Sequence, residues 1–199
     1  YNTGRRSFLN IETGRNAVDF IVNSSGPRRN IDIDFFGGEP LMNWDVVKEL
    51  TFYCEEQSRI KDKNIRLTIT TNAVLLDKEK ADFIIDHMEN CVLSMDGRKK
   101  VHDLMRPAPG GKSSYGVVKD NILDFVRKRK DGTYYVRGTY TRSNLDFSDD
   151  VKHIVSLGVK HVSVEPVVAP DHADYSIRKE DLDRIFTEYE KLALEMAQT

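Results

Sequence analysis

Five short segments carry residue types that could hold a small polar ligand. Gly37-Gly38-Glu39-Pro40 joins two glycines, able to take positive φ and to let a ligand approach the backbone, to a proline that stiffens the exit. Thr70-Thr71-Asn72-Ala73 offers hydroxyl and amide groups that could bond a ribose or a carboxylate. Ser94-Met95-Asp96-Gly97 is again small and polar, and His102, Asp103 and Arg106 follow it. Arg137 is a planar, permanently charged fork that needs an anion, either a protein carboxylate or a ligand carboxylate. Glu165-Pro166 completes the set. Singly, each has a plainer explanation: a Gly-Gly pair is usually only a turn, and Thr and Asn often bond their own backbone. Polar groups in all five places are harder to explain as turns alone.

The elements around these segments alternate. Strand patterns fall at 31–36, 65–70, 91–95, 134–140 and 161–164. Between them lie helical patterns, with Asn10, Asn43, Asp77, Ser113 or Ser114, and Ser148 as capping residues. The clearest apolar faces are Val46, Val47, Leu50, Tyr53 and Cys54; Val118, Ile122 and Phe125; and the stripe from Leu182 to Met196. Strands separated by helices require crossover connections, and so an α/β fold with a parallel sheet. In such sheets ligands bind at the carboxyl ends of the strands, here just after Phe36, Thr70, Met95, Tyr140 and Val164. The pattern opens on a helix, so the first strand of the repeat is missing, and the strand at 31–36 is expected to present an open edge. That edge leads us to expect only marginal stability.

Composition narrows the classes. With 30 basic and 32 acidic residues the net charge is −2, which gives no electrostatic footprint for nucleic acid. The run Arg127-Lys128-Arg129-Lys130 is read as a solvated helix end that complements the helix dipole. No apolar stretch approaches the roughly 20 residues that span a bilayer, and the first residues contain no apolar leader core. Cys54 and Cys91 are too few and too far apart for a metal site, so both are read as buried structural thiols in a reducing cytoplasm. Among the histidines only His102 invites a functional test, and a hydrogen bond that holds its loop is the plainer role.

Two strings carry a family resemblance. Phe35-Phe36-Gly37-Gly38-Glu39-Pro40-Leu41 resembles the GGEP motif of the radical S-adenosylmethionine (SAM) superfamily. Leu93-Ser94-Met95-Asp96-Gly97, followed by His102-Asp103 and Arg106-Pro107, resembles the fourth-strand region of its peptide-modifying, SPASM-type members. Asp34 to Asp45, Arg137-Gly138-Thr139 and Glu165-Pro166-Val167-Val168 look most like maturases of six-cysteine ranthipeptide precursors, which install thioether crosslinks.

The resemblance covers the whole chain. It implies that residues 1–199 are one fragment of a radical SAM core, a partial, TIM-barrel-like parallel (β/α)6 barrel. Cleavage of SAM to a 5′-deoxyadenosyl radical would then modify a ribosomally made, cysteine-rich precursor peptide, with flavodoxin or ferredoxin as electron donor. It also implies that Gly37, Gly38 and Glu39 meet the SAM amino group while Pro40 shapes the turn. Thr71, Asn72, Ser94 and Asp96 would lie near the ribose or methionine, Arg137 would pair the carboxylate, and backbone near Glu165 and Val167 would line the adenine. The [4Fe-4S] cluster of the family is held by a CxxxCxxC motif that is not in this sequence, and its ligands are expected upstream of Tyr1. Any auxiliary clusters would belong to a cysteine-rich domain beyond Thr199. The fragment alone is expected to be inactive. An anaerobic sulfatase-maturating or other SPASM-type maturase, and a degenerate SAM- or peptide-binding module without a cluster, are the alternatives.

Overall fold

The computed structural model describes residues 7–130 and 132–197. The described residues form two compact units, one from residues 7–71 and 75–91, the other from residues 72–74, 92–130 and 132–197. Five strands lie in one sheet in chain order, β1 Asn30–Phe35, β2 Asn64–Thr71, β3 Asn90–Ser94, β4 Tyr134–Tyr140 and β5 Val162–Pro166. The fold is thus the α/β class expected from the alternating pattern.

In the first unit, α1 (Ile11–Ser24) starts where Asn10 accepts a hydrogen bond from the Thr13 backbone N–H at 2.8 Å. Strands β1 and β2 pair in parallel, with Ile31 opposite Ile65, Ile33 opposite Leu67 and Phe35 opposite Ile69. Helix α2 (Trp44–Ile60) buries Val47, Leu50, Thr51 and Cys54, and α3 (Lys78–His87) buries Ala81 and Ile84. Asp77 caps α3 as expected, accepting from Lys80 N–H. Asn43 does not cap α2 with its side chain: its amide donates to the Leu9 carbonyl at 2.9 Å, and a 3-10 turn at Pro40–Asn43 leads into the helix instead. β1 ends one residue earlier than the pattern suggested, and Phe36 is exposed.

In the second unit, α5 (Tyr115–Arg129) buries the predicted Val118, Ile122 and Phe125, and its last turn carries Arg127, Lys128 and Arg129. β4 and β5 pair in parallel with Arg137 opposite Ser163 and Thr139 opposite Glu165. A seven-residue helix, α4 (Lys99–Met105), follows β3. Its apolar residues Val101, Leu104 and Met105 have helical spacing over little more than one turn, and His102 is its one buried residue. Helix α6 (Phe147–Ser156) begins ahead of Ser148, which lies inside it and donates to Glu188 rather than capping. Helix α7 (Leu182–Met196) carries the predicted stripe, yet of that stripe only Ile185 is buried. Ile185 packs in a cluster with Tyr140, Leu145 and Phe147, while Phe186 is 63% exposed. No helix among the described residues is long and apolar enough to cross a membrane.

Candidate functional site

The glycine loop of the first unit is built to stay open. Gly37 has φ +136°, a conformation that L side chains rarely adopt, and a Cβ added at Gly37 or Gly38 would meet nothing within 4 Å. Their glycines are therefore not packing necessities; they leave the backbone accessible. Glu39 holds the loop from below. Its Oε1 accepts from the Leu41 backbone N–H at 3.0 Å, as the cap of the 3-10 turn, and from the Thr71 hydroxyl at 2.7 Å. Pro40 sits at the first position of that turn and is buried, as is Leu41. Thr71, at the end of β2, therefore fixes the loop through Glu39. Glu39→Ala removes the acceptor for both bonds and leaves a buried hydroxyl without it. It is expected to lower stability by about 1–2 kcal/mol, read as a shift in the denaturant midpoint.

In the second unit, the residues singled out by sequence fall into separate roles. Asn72 Oδ1 accepts from Val74 N–H at 3.0 Å, the local turn that its residue type favours, and the Asn121 amide donates to the Ala73 carbonyl at 2.8 Å. Asp96 is buried: Oδ1 accepts from Thr139 N–H at 3.0 Å and Oδ2 from Arg106 Nε at 2.8 Å. It thereby ties the end of β3 to β4 and to the end of α4. Ser94 is half-buried at the last position of β3. Arg137 and Glu165, named separately from sequence, come together: Arg137 Nε lies 3.3 Å from Glu165 Oε1. That nitrogen is buried without a hydrogen bond of good geometry. Val167 N–H donates to the Tyr140 carbonyl at 2.9 Å, just past β5.

His102 has the structural role. It is fully buried, its Nδ1 faces Asp96 N–H at 3.4 Å, and its Nε2 lies 3.1 Å from the Ser114 hydroxyl. Ser114 in turn donates to the Arg106 carbonyl. Asp103 accepts from the backbone N–H groups of Ser114 and Tyr115, from Ser113 and from Lys99. Burial opposes the Asp103 charge, but these bonds hold its carboxyl below the usual range. Asp103, not Ser113 or Ser114, thus supplies the side-chain cap of α5.

Burial pushes the His102 imidazole below its ordinary value, only partly offset by the Asp96 charge, while Arg106 lowers it further and Asp103 raises it. The unfolded chain then binds more protons than the folded one below about pH 6.5, so stability is full above that value and falls as the pH drops toward the depressed one. The melting temperature should decline between about pH 7 and pH 5, and His102→Gln should flatten that limb.

The sequence reading missed a cleft of about 340 Å³ between α4 and the 3-10 turn Arg142–Asn144 that follows β4. A capping box closes that turn, Thr141 and Asn144 bonding each other's backbone. Thr141-Arg142-Ser143-Asn144 departs from the Ser/Thr-x-x-Glu/Gln signature of a capping box, so the sequence carried no standard signal for the turn. Arg98 closes one side: it pairs with buried Asp150 through Nε at 2.8 Å and with Asp146 at 3.0 Å, and its hydrogen bond to Asp150 holds its guanidinium above the ordinary value.

Among the described residues neither cysteine belongs to a group that could hold a metal ion. Both are buried, and burial pushes the Cys54 thiol up to about 12. Among the described residues no group of three or more His, Cys, Asp or Glu side chains could hold a metal ion.

Comparison with known proteins adds the family. The model of the Radical SAM superfamily matches residues 26–136, more than half of the chain. An uncharacterized protein of Methanocaldococcus jannaschii is 28% identical over 166 residues, which are 82% of this chain and 55% of that protein. The radical SAM cyclopropyl synthase TigE of Paramaledivibacter caminithermalis is 26% identical over 97 residues, 46% of this chain and 20% of that enzyme. The structure of native anSMEcpe with bound AdoMet and Kp18Cys peptide superposes with a TM-score of 0.83 at 19% identity, covering 96% of this chain and 54% of that one. This last likeness is one of fold. The chain spans about half the length of the first relative and of that structure, and a fifth of the cyclopropyl synthase.

Proposed function

The chain belongs to the radical SAM superfamily, and from that premise we propose that residues 1–199 are a portion of the core of a SPASM-type peptide maturase that binds SAM at its strand-end loops. The observation that carries the reading is the Gly37-Gly38 loop: open above both glycines, with φ +136° at Gly37, and braced from beneath by Glu39 and Thr71. The backbone of Gly37, Gly38 and Glu39 takes the SAM amino group, with Pro40 fixing the turn. Arg137 takes the carboxylate, for which its planar fork is suited, and Glu165 holds that fork in place beforehand. Asn72 and Ser94 serve the ribose or methionine, Thr71 and Asp96 support them through the loops that they tie down, and backbone near Glu165 and Val167 serves the adenine.

Bound SAM supplies, on one-electron reduction, the 5′-deoxyadenosyl radical; the chain's own residues bind, orient and shield it. Cys54 and Cys91 do not fit an iron–sulfur cluster, and no step of the proposal runs through one held by these residues. We place the [4Fe-4S] ligands upstream of this chain. The substrate is a ribosomally made cysteine-rich precursor peptide, the bond formed a thioether, the electron donor a flavodoxin or ferredoxin, and the setting the cytoplasm, with no nucleic acid or membrane partner. A second reading is a SPASM-type maturase that makes a different bond. It is favoured by the 26% identity to an enzyme named as a cyclopropyl synthase.

The test has two parts. The coding sequence upstream of Tyr1 should contain CxxxCxxC after a short apolar strand. The anaerobically reduced parent protein should then release 5′-deoxyadenosine from SAM. An intact upstream strand without cysteines, and no 5′-deoxyadenosine, would leave a binding module in place of the enzyme.

A further inference from the structure

The cleft between α4 and the Arg142–Asn144 turn is not needed to hold SAM in the reading above, and its lining is specific in character. One wall is apolar: Val101, Leu104 and Met105 face it, and Leu104 is 62% exposed although it is a leucine on a helix. Unbranched Met105 can repack around differently shaped partners. The opposite wall is polar but largely committed. Thr141 and Asn144 bond each other at 2.9 Å, Asn144 also donates to Asp150 at 3.2 Å, and Asp146 is paired with Arg98 at 3.0 Å.

Two polar side chains on the lining make no hydrogen bond or ion pair with any described residue, the Lys100 ammonium and the Ser143 hydroxyl, and both can donate. Three charged residues line the cleft, Arg98, Lys100 and Asp146; Arg98 is already paired with Asp146 and with Asp150, which does not line the cleft, so Lys100 carries the uncommitted positive charge. A volume of about 340 Å³ lies at the small end of ligand sites, room for one large side chain with its flanking backbone.

We propose that this cleft is a recognition subsite for the substrate peptide, taking a large apolar side chain against Val101, Leu104 and Met105 and a neighbouring carboxylate on Lys100 and Ser143. The inference rests on the reading of the protein as a peptide maturase and specifies what its substrate must contain: an apolar residue beside an acidic one. Sequence context is thereby read away from the residue that is modified. The apolar contact supplies most of the affinity and the exposed ion pair mostly selectivity, because exposed pairs contribute little energy.

The test uses isotope-labelled chain and the capped tetrapeptide acetyl-Gly-Leu-Glu-Gly-amide, followed by methyl NMR. At millimolar peptide the Val101 and Leu104 methyl resonances should move. Replacing the peptide Leu by Ala should weaken binding about tenfold. Replacing its Glu by Gln should weaken binding about threefold, and Lys100→Glu should do the same and restore binding to the peptide carrying Lys in place of Glu. Leu104→Ser, at an exposed position that the fold tolerates, should abolish the shifts while leaving the remaining spectrum in place. Unmoved methyls, equal binding of the Leu and Ala peptides, or tighter binding of octanoate than of any peptide would overturn the proposal. SAM titrated into the same sample separates the two readings. SAM binding without peptide shifts defeats the subsite alone. Peptide shifts without SAM binding leave the subsite standing and defeat the SAM-dependent function.

Discussion

Gly97→Ala should unfold the second unit or leave it barely folded. Gly97 has φ +122°, and a Cβ there would lie 2.3 Å from the Asp150 Cβ. The neighbour cannot swing away, because that atom is the root of a side chain that is 2% exposed and held by several bonds. Backbone strain and overpacking each contribute about 1–3 kcal/mol, so a loss of about 3 kcal/mol or more is expected, a large share of a domain's usual stability. A urea melt of the variant checks this. A midpoint within experimental error of the parent chain's would show that the loop after β3 has room that the structure denies it.

Asp150→Ala is the second large effect, and it acts on the same contact. Asp150 accepts from the Arg98 backbone N–H at 3.0 Å, from Arg98 Nε at 2.8 Å and from Asn144 Nδ2 at 3.2 Å. Its removal strands a buried amide and breaks a pair in which one member has no access to water. Arg98 is partly exposed and keeps Asp146, which limits the loss. About 3 kcal/mol is expected, toward the lower end for broken buried pairs. Because Arg98 and Asn144 line the cleft on α4, the same variant should weaken peptide binding there. Combined with Gly97→Ala, the total should fall short of the sum, since both changes disturb one junction.

These two residues show where sequence reading ends. Gly97 was visible only as part of a small polar segment, because its requirement for glycine is set by Asp150, 53 positions away. Asp150 itself gave no signal, since a buried acid and a solvated helix-terminal one look alike until the partner is placed. Strands and buried helix faces were legible where the period was strong, as in Val118, Ile122 and Phe125 of α5 and the β4 pattern Tyr134–Tyr140. Asn43 and Ser148 had cap chemistry without cap geometry: the first found a backbone carbonyl, the second a glutamate on another helix. The α7 stripe was a true helical period, but periodicity says only which residues share a face, and most of that face is exposed on the described residues. The glycine loop was legible because its motif is local. Its brace was not, because Glu39 and Thr71 meet through the parallel pairing of β1 and β2.

The central claim, that this chain carries the SAM-binding loops of a radical SAM core, is tested most directly by saturation-transfer NMR with SAM. The unaltered chain should show transfer to the methionine and adenosine protons. Gly37→Val should lose it, by strain at φ +136° and by filling the open space above the loop, and Arg137→Leu should weaken it about tenfold or more, with circular dichroism unchanged in both. Absence of transfer to the unaltered chain, or transfer that both variants retain in full, would contradict the account.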